Sequence, residues 1–96
     1  MKNKPAALKE FTLDFSKWCK GDYERDGKCC AWQQAKNANV IDETYYGPQS
    51  KFERDVIDIN DAKMSRKDRI ERLRVEFYGR GIKMRVKNAN HGMKKV

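Results

Sequence analysis

Residues 65–87 read S-R-K-D-R-I-E-R-L-R-V-E-F-Y-G-R-G-I-K-M-R-V-K, and they hold the clearest structural signals of the chain. Asp68 follows Ser65 by three residues, a near capping box with Asp in place of the usual Glu or Gln, so a helix is predicted to begin there. Gly79 is a natural C-terminal stop for that helix. The apolar residues that recur at helical spacing and predict its buried face are Ile70, Leu73 and Phe77.

The stretch after this helix, residues 82–87, alternates strictly between apolar and cationic side chains. A period of two predicts a β-strand with one buried face, although no second strand is evident in the sequence to pair with it. Residues 88–96 show no periodicity and are expected to form a flexible tail.

Three further helices are predicted upstream. The first runs from about Pro5 to Trp18, and the second, from Cys29 to Asn39, has a narrow alanine face that allows close helix packing. Pro48 opens the third. The inward positions of the first helix are Leu8, Phe11, Phe15 and Trp18, and those of the third are Phe52, Val56 and Ile59.

The predicted fold class is therefore mainly α. Ninety-six residues make one small domain. We expect a bundle of about four helices in residues 1–79, followed by a basic C-terminal extension in residues 80–96 that has room for one short strand.

The positive charge is concentrated in the last third of the chain. Residues 63–96 carry twelve basic and three acidic side chains, a net charge of +9, whereas residues 1–62 carry ten basic and eleven acidic side chains, a net charge of −1. Within residues 80–96 there are six cations and no acid, so nothing nearby is expected to neutralise them. Such an asymmetry predicts an acidic partner.

Nucleic acid, or an anionic groove of a nucleoprotein complex, is the predicted partner, because contact of several cations with phosphates releases condensed counterions. We expect a non-enzymatic intracellular binding protein, of the kind that serves as a phage or mobile-element accessory factor. The predicted nucleic-acid-binding residues are Arg80, Lys83, Arg85, Lys87, Lys94, Lys95, Arg69 and Arg74.

A protein inhibitor or adaptor that modulates a host protein is the alternative function. In that case the charge would serve only steering and solubility. Exposed aromatic residues anchor many protein interfaces. The candidates for such a contact are Tyr45, Tyr46 and Trp32.

Catalysis and cofactor binding have little support in the sequence. The only histidine, His91, is near the C-terminus, where no packing is expected to hold it as a general base. The three cysteines, Cys19, Cys29 and Cys30, are expected to be structural thiols. A disulfide from Cys19 to one of the other two stays open, as does a zinc site with His91 as fourth ligand, although the spacing is unusual for zinc.

No membrane contact is predicted, because no apolar run approaches the roughly 20 residues that a spanning helix needs. The N-terminus is basic but lacks the apolar stretch of a signal peptide. A cytoplasmic location is therefore expected.

Four short sequence features occur in a fixed order over residues 18–77. They are Trp18-Cys19-Lys20-Gly21, Gly27-Lys28-Cys29-Cys30-Ala31, Asn60-Asp61, and the helix from Ser65 to Phe77. In this order the chain resembles a small, poorly characterised domain family of bacteria and phages. It has Gln33-Gln34 where that family tends to have Gly-Ala. The resemblance implies a compact helical domain in which Trp18, Cys19 and Cys30 are structural and Asn60-Asp61 fixes a turn; it implies no activity.

Overall fold

The computed structural model describes residues 9–42 and 49–92, which form three α-helices and two small β-sheets. The strands are β1 (Lys9–Asp14), β2 (Glu24–Arg25), β3 (Lys28–Cys29) and β4 (Ile82–Lys87). The helices are α1 (Ala31–Asn37), α2 (Lys51–Asp61) and α3 (Arg66–Tyr78), and Phe15–Lys17 form one 3-10 turn.

The predicted four-helix bundle is wrong: the fold is a small mixed α/β domain. The first predicted helix is the source of the error, because residues 9–14 form a strand instead. Phe11 and Leu13 are buried while Glu10 and Thr12 are exposed, which is the alternation of a strand. The apolar residues here fit both the period of a helix and the period of two of a strand. Pairing with β4 selects the strand.

β1 and β4 form a parallel pair, so β4 has the partner that the sequence did not reveal. Lys9 lies opposite Ile82, Phe11 opposite Met84, and Asp14 opposite Lys87. Ile82 and Met84 are buried. Residues 82–87, predicted to belong to an extension, therefore pack into the same core as the helices.

Aromatic rings dominate the core between this sheet and the helices. Phe77 of α3 packs edge-to-face against Phe11 at 4.9 Å between ring centroids, and against Phe52 of α2 at 5.5 Å. Trp32 of α1 packs edge-to-face on Phe52 at 4.9 Å. Phe52 and Phe77 are almost fully buried, so these contacts fix α2 and α3 against the sheet.

The predicted start of α3 is confirmed. The Ser65 hydroxyl accepts the Asp68 backbone N–H at 3.1 Å, and the helix continues to Tyr78 with Gly79 as its cap. Ser50 caps α2 in the same way, accepting the Glu53 N–H at 3.2 Å. These caps satisfy backbone donors that a helix leaves unpaired at its N-terminus.

Asn60, at the end of α2, is fully buried and connects three segments of the chain. Its Oδ1 accepts the Trp18 indole N–H at 2.6 Å and the Ala31 N–H at 2.9 Å, and its Nδ2 donates to the Cys19 carbonyl at 3.1 Å. Asp61 accepts the Gly21 N–H at 3.0 Å. Residues from three of the short sequence features named above therefore meet around one side chain.

Candidate nucleic-acid interface

A groove runs between α3 and β4. After the turn at Gly79–Gly81 the chain reverses direction, so β4 passes back along the helix. The groove consists of two adjoining depressions, of about 570 and 410 Å³, that share Arg74. On the helix side, four of the lining residues recur every four positions, a span of about 18 Å along α3 at 1.5 Å per residue. They are Arg66, Ile70, Arg74 and Tyr78.

Arg74 is at the centre of this α3–β4 groove. Its Nε donates to the Met84 carbonyl of β4 at 3.3 Å, which holds the exposed guanidinium against the strand. No residue in 9–42 or 49–92 accepts from its two Nη groups. A guanidinium held in this way presents its remaining donors to a ligand in the groove.

The side of β4 that faces α3 is a free strand edge. In a parallel pair each residue directs its N–H and C=O to the same side, and the bond from Lys9 N–H to Gly81 O shows that odd-numbered residues face β1. The Met84 and Val86 amides therefore point into the groove. No described residue accepts a hydrogen bond from either N–H.

Arg66 lies at the other end of the groove, next to residues 89 and 90. Its guanidinium lies 4.0 Å from the Phe15 ring centroid and donates to the Ala89 carbonyl at 2.6 Å and to the His91 carbonyl at 3.4 Å. Burial lowers the pKa of Arg66. Arg66 therefore fixes residues 89–91, predicted to belong to a flexible tail, beside the start of α3.

Two acids of β1 lie beside the cations of β4, so the expectation that nothing near those cations neutralises them is wrong. Arg85 pairs with Glu10 at 2.8 Å, and this hydrogen bond and charge hold the pKa of Glu10 below its usual range. Asp14 accepts the Asn88 side-chain N–H at 2.9 Å, which with hydrogen bonds from Ser16 lowers its pKa to about 2.

Lys83 and Lys87 remain as exposed cations of β4. Neither makes an ion pair with any residue that the structure describes. Lys83 lines the groove next to Arg74, whereas Lys87 is at the far end of the strand. Among the lining side chains that the structure describes, five are cationic and Glu71 is the one acid. The cations are Arg66, Lys67, Arg74, Lys83 and Arg85.

Other predicted site residues lie away from this groove. Arg69 is 4% exposed, and its guanidinium donates to the Ile59 and Ala62 carbonyls between α2 and α3. Arg80 is exposed, with its guanidinium 5.0 Å from the Phe52 ring centroid. Trp32 is 2% exposed, in the core. The remaining predicted residues lie outside the described residues: Tyr45, Tyr46, Lys94 and Lys95.

The sequence prediction missed Tyr78. It is 58% exposed and lines the same depression as Arg74 and Lys83. Val75, 73% exposed, lies beside it. The signal was present, because Tyr78 follows Arg74 by one helical turn and the predicted helix ended only at Gly79.

The three cysteines are free thiols with local structural contacts. Cys30 caps α1 by accepting the Gln33 N–H at 3.4 Å, and Cys19 contacts the Lys28 carbonyl at 3.4 Å. Burial raises the pKa of all three thiols, the opposite of the shift that activates a nucleophilic cysteine. Within residues 9–42 and 49–92, no cluster of three His, Cys, Asp or Glu side chains is arranged to hold a metal ion.

No protein-family model matches the chain, and no curated protein or solved structure matches it either. None of the described helices has the length and apolar character needed to cross a bilayer.

Proposed function

We propose that the protein is a non-enzymatic nucleic-acid-binding protein that contacts a phosphate backbone through the α3–β4 groove. The observation that carries the proposal is that the turn between α3 and β4 brings cations of both elements together along one groove. Arg74 comes from the helix, Lys83 from the strand, and Glu71 is the one acid lining the groove in the part of the chain that the structure describes.

The chemistry of these side chains suits phosphate. Lys83 supplies a compact charge without an ion-pair partner among the described residues. The Nη groups of Arg74 can donate to two phosphate oxygens at once, which an ammonium group cannot do with the same geometry. Each phosphate neutralised in this way releases condensed counterions, so the affinity falls as the salt concentration rises.

The alternative function, a protein inhibitor or adaptor, has less support from the residues predicted to make its contact. Of its three predicted contact residues, Trp32 is in the core, and Tyr45 and Tyr46 lie outside the described residues. The cationic groove instead favours a polyanion.

A pair of substitutions in the groove tests the proposal. We expect the double variant Arg74→Gln/Lys83→Gln to bind a labelled oligonucleotide more weakly at low salt, as measured by fluorescence anisotropy. The slope of log affinity against log salt should fall by about 1.4 if each side chain contacts one phosphate of a single strand, or by about 1.8 on a duplex. Point substitutions are needed because removal of residues 80–96 would also remove buried Ile82 and Met84.

The matched control is Lys20→Gln/Lys28→Gln. It changes the net charge equally, at exposed positions that do not line the groove. Equal losses of affinity and equal slopes in the two double variants would show that net charge alone drives binding, and would refute the groove as the site. Circular dichroism of each variant confirms that the fold is intact.

A further inference from the structure

We propose that the ligand of the α3–β4 groove is a single-stranded nucleic acid, with an unpaired base stacked on Tyr78. This inference rests on the proposed function and specifies its ligand. It is carried by the juxtaposition of an exposed aromatic ring, a cationic groove and free backbone donors.

Tyr78 is placed as a stacking platform. Its side chain is 58% exposed, and it lines the groove together with Arg74 and Lys83. A base stacked on the Tyr78 ring therefore has its own phosphate within the region that these cations line. Cations that follow a backbone beside an aromatic ring are the usual components of single-strand binding, and the stacking is tolerant of sequence.

A duplex does not suit this arrangement. Its bases are paired and stacked on one another, so the face of a base is not available to a ring in a surface groove. The exposed side of α3 also lacks the charge expected of a helix that enters a major groove. Its charges are of mixed sign, with four cations and three acids that are exposed or half-buried: Arg66, Lys67, Arg72, Arg74, Asp68, Glu71 and Glu76.

The free edge of β4 favours the same ligand over an added β-strand. A strand that paired with this edge would use both the N–H and the C=O of Met84, but the carbonyl already accepts from Arg74. The Met84 and Val86 N–H groups remain as donors. Phosphate and base oxygens are acceptors, so a nucleic acid can use these donors without displacing Arg74.

The test compares one oligonucleotide sequence as a single strand and as a duplex, in anisotropy titrations with Tyr78→Ala, Tyr78→Phe and Val75→Ala. We expect the single strand to bind at least about tenfold more tightly than the duplex. Tyr78→Ala should lose about tenfold in single-strand affinity. Its salt slope should not change, because the ring carries no charge. Tyr78→Phe should retain the affinity because it retains the ring.

Val75→Ala is the matched control. It shortens an exposed side chain of the same helix that is apolar, as Tyr78 is in part, but carries no aromatic ring. A loss in Val75→Ala equal to that in Tyr78→Ala would indicate general apolar contact and would overturn stacking.

Failure of this inference differs from failure of the proposed function. Equal binding of single strand and duplex, with no effect of Tyr78→Ala, would overturn the inference and leave the cationic groove intact. An absence of salt-dependent binding to either form would overturn both. An acidic peptide that carries the same charge as the oligonucleotide but binds more tightly would overturn both by showing that the groove takes a protein strand.

Discussion

The Trp18 indole N–H donates to Oδ1 of Asn60 at 2.6 Å, across 42 positions of sequence. The same oxygen accepts the Ala31 N–H at the start of α1. One buried amide therefore fixes the end of α2 against both the loop after β1 and the beginning of α1. Because Asn60 and Ala31 are both buried, loss of the side chain would leave the Ala31 N–H without a partner.

Replacement of Asn60 by Ala should lower the free energy of unfolding by about 2–4 kcal/mol, since the Trp18 and Ala31 donors and the Cys19 carbonyl lose their partner. Urea denaturation followed by circular dichroism measures the change. Asn37→Ala is the control, because Asn37 is exposed and its bonds are local; its effect should stay within about 0.5 kcal/mol. Comparable effects in the two variants would refute the central role of Asn60.

Asp14 should make the stability of the fold depend on acid pH. Its pKa is lowered from 3.8 to about 2 by hydrogen bonds from Asn88 and Ser16. Because the pKa of Asp14 is lower in the folded than in the unfolded chain, its ionised form stabilises the fold. This contribution is complete above the unfolded pKa of 3.8 and is lost as the pH falls from 3.8 through the folded pKa of about 2. Thermal unfolding should therefore show Asp14→Asn less stable than the original chain at pH 7, with the difference shrinking below pH 4. A difference that does not change with pH would contradict this linkage.

Substitution of Glu10 should strengthen nucleic-acid binding. Glu10 pairs with Arg85 at 2.8 Å, so Glu10→Gln frees a cation that lines the groove. We expect about two- to fivefold tighter binding at low salt, in line with one unscreened charge at short distance in water. The pair is exposed, so the stability should change little. Glu24→Gln, which removes an exposed acid of β2, is the control and should leave the affinity nearly unchanged.

Loss of the α3 cap should destabilise the whole domain. Ser65 accepts the Asp68 N–H at 3.1 Å, and the helix that it caps contributes buried Leu73 and Phe77 to the core. Ser65→Ala should cost about 1 kcal/mol. In a domain of this size that lowers the Tm by about 4–8 °C. Ser65→Asp, which retains a cap acceptor, should unfold close to the original temperature; a loss as large as that of Ala would argue against capping.

The second half of the fold was predictable because its local signals agree. Ser65, the apolar face of α3 and Gly79 all indicate one helix, and the alternation in residues 82–87 fits no other element. β1 was not predictable from local periodicity. Phe11 and Phe15 fit a helical stripe, and they also fit an alternating strand with Leu13 between them. The interaction that decides between the two is pairing with β4, at the other end of the described chain.

The candidate site was predictable only in part, for the same reason. Lys83 and Arg85 stand out in the sequence as cations of an alternating strand, and the structure exposes both. Their acidic neighbours Glu10 and Asp14 become neighbours only through the parallel register. Arg69 looks like a surface cation on a helical wheel. Its burial depends on carbonyl groups at the C-terminal end of α2 that the sequence pattern does not place.

The parallel pairing of β1 with β4 also has a consequence for biosynthesis. Glu10 and Arg85 are 75 positions apart, and the strands that carry them are the first and last elements of the described fold. β1 is synthesised before all three helices, and its partner strand leaves the ribosome only after all three helices have done so. Such long-range pairing delays folding, because the entropy of closing the loop is lost before the contact forms. The cations of β4 can therefore join those of α3 in one groove only after nearly all of the described chain has been translated.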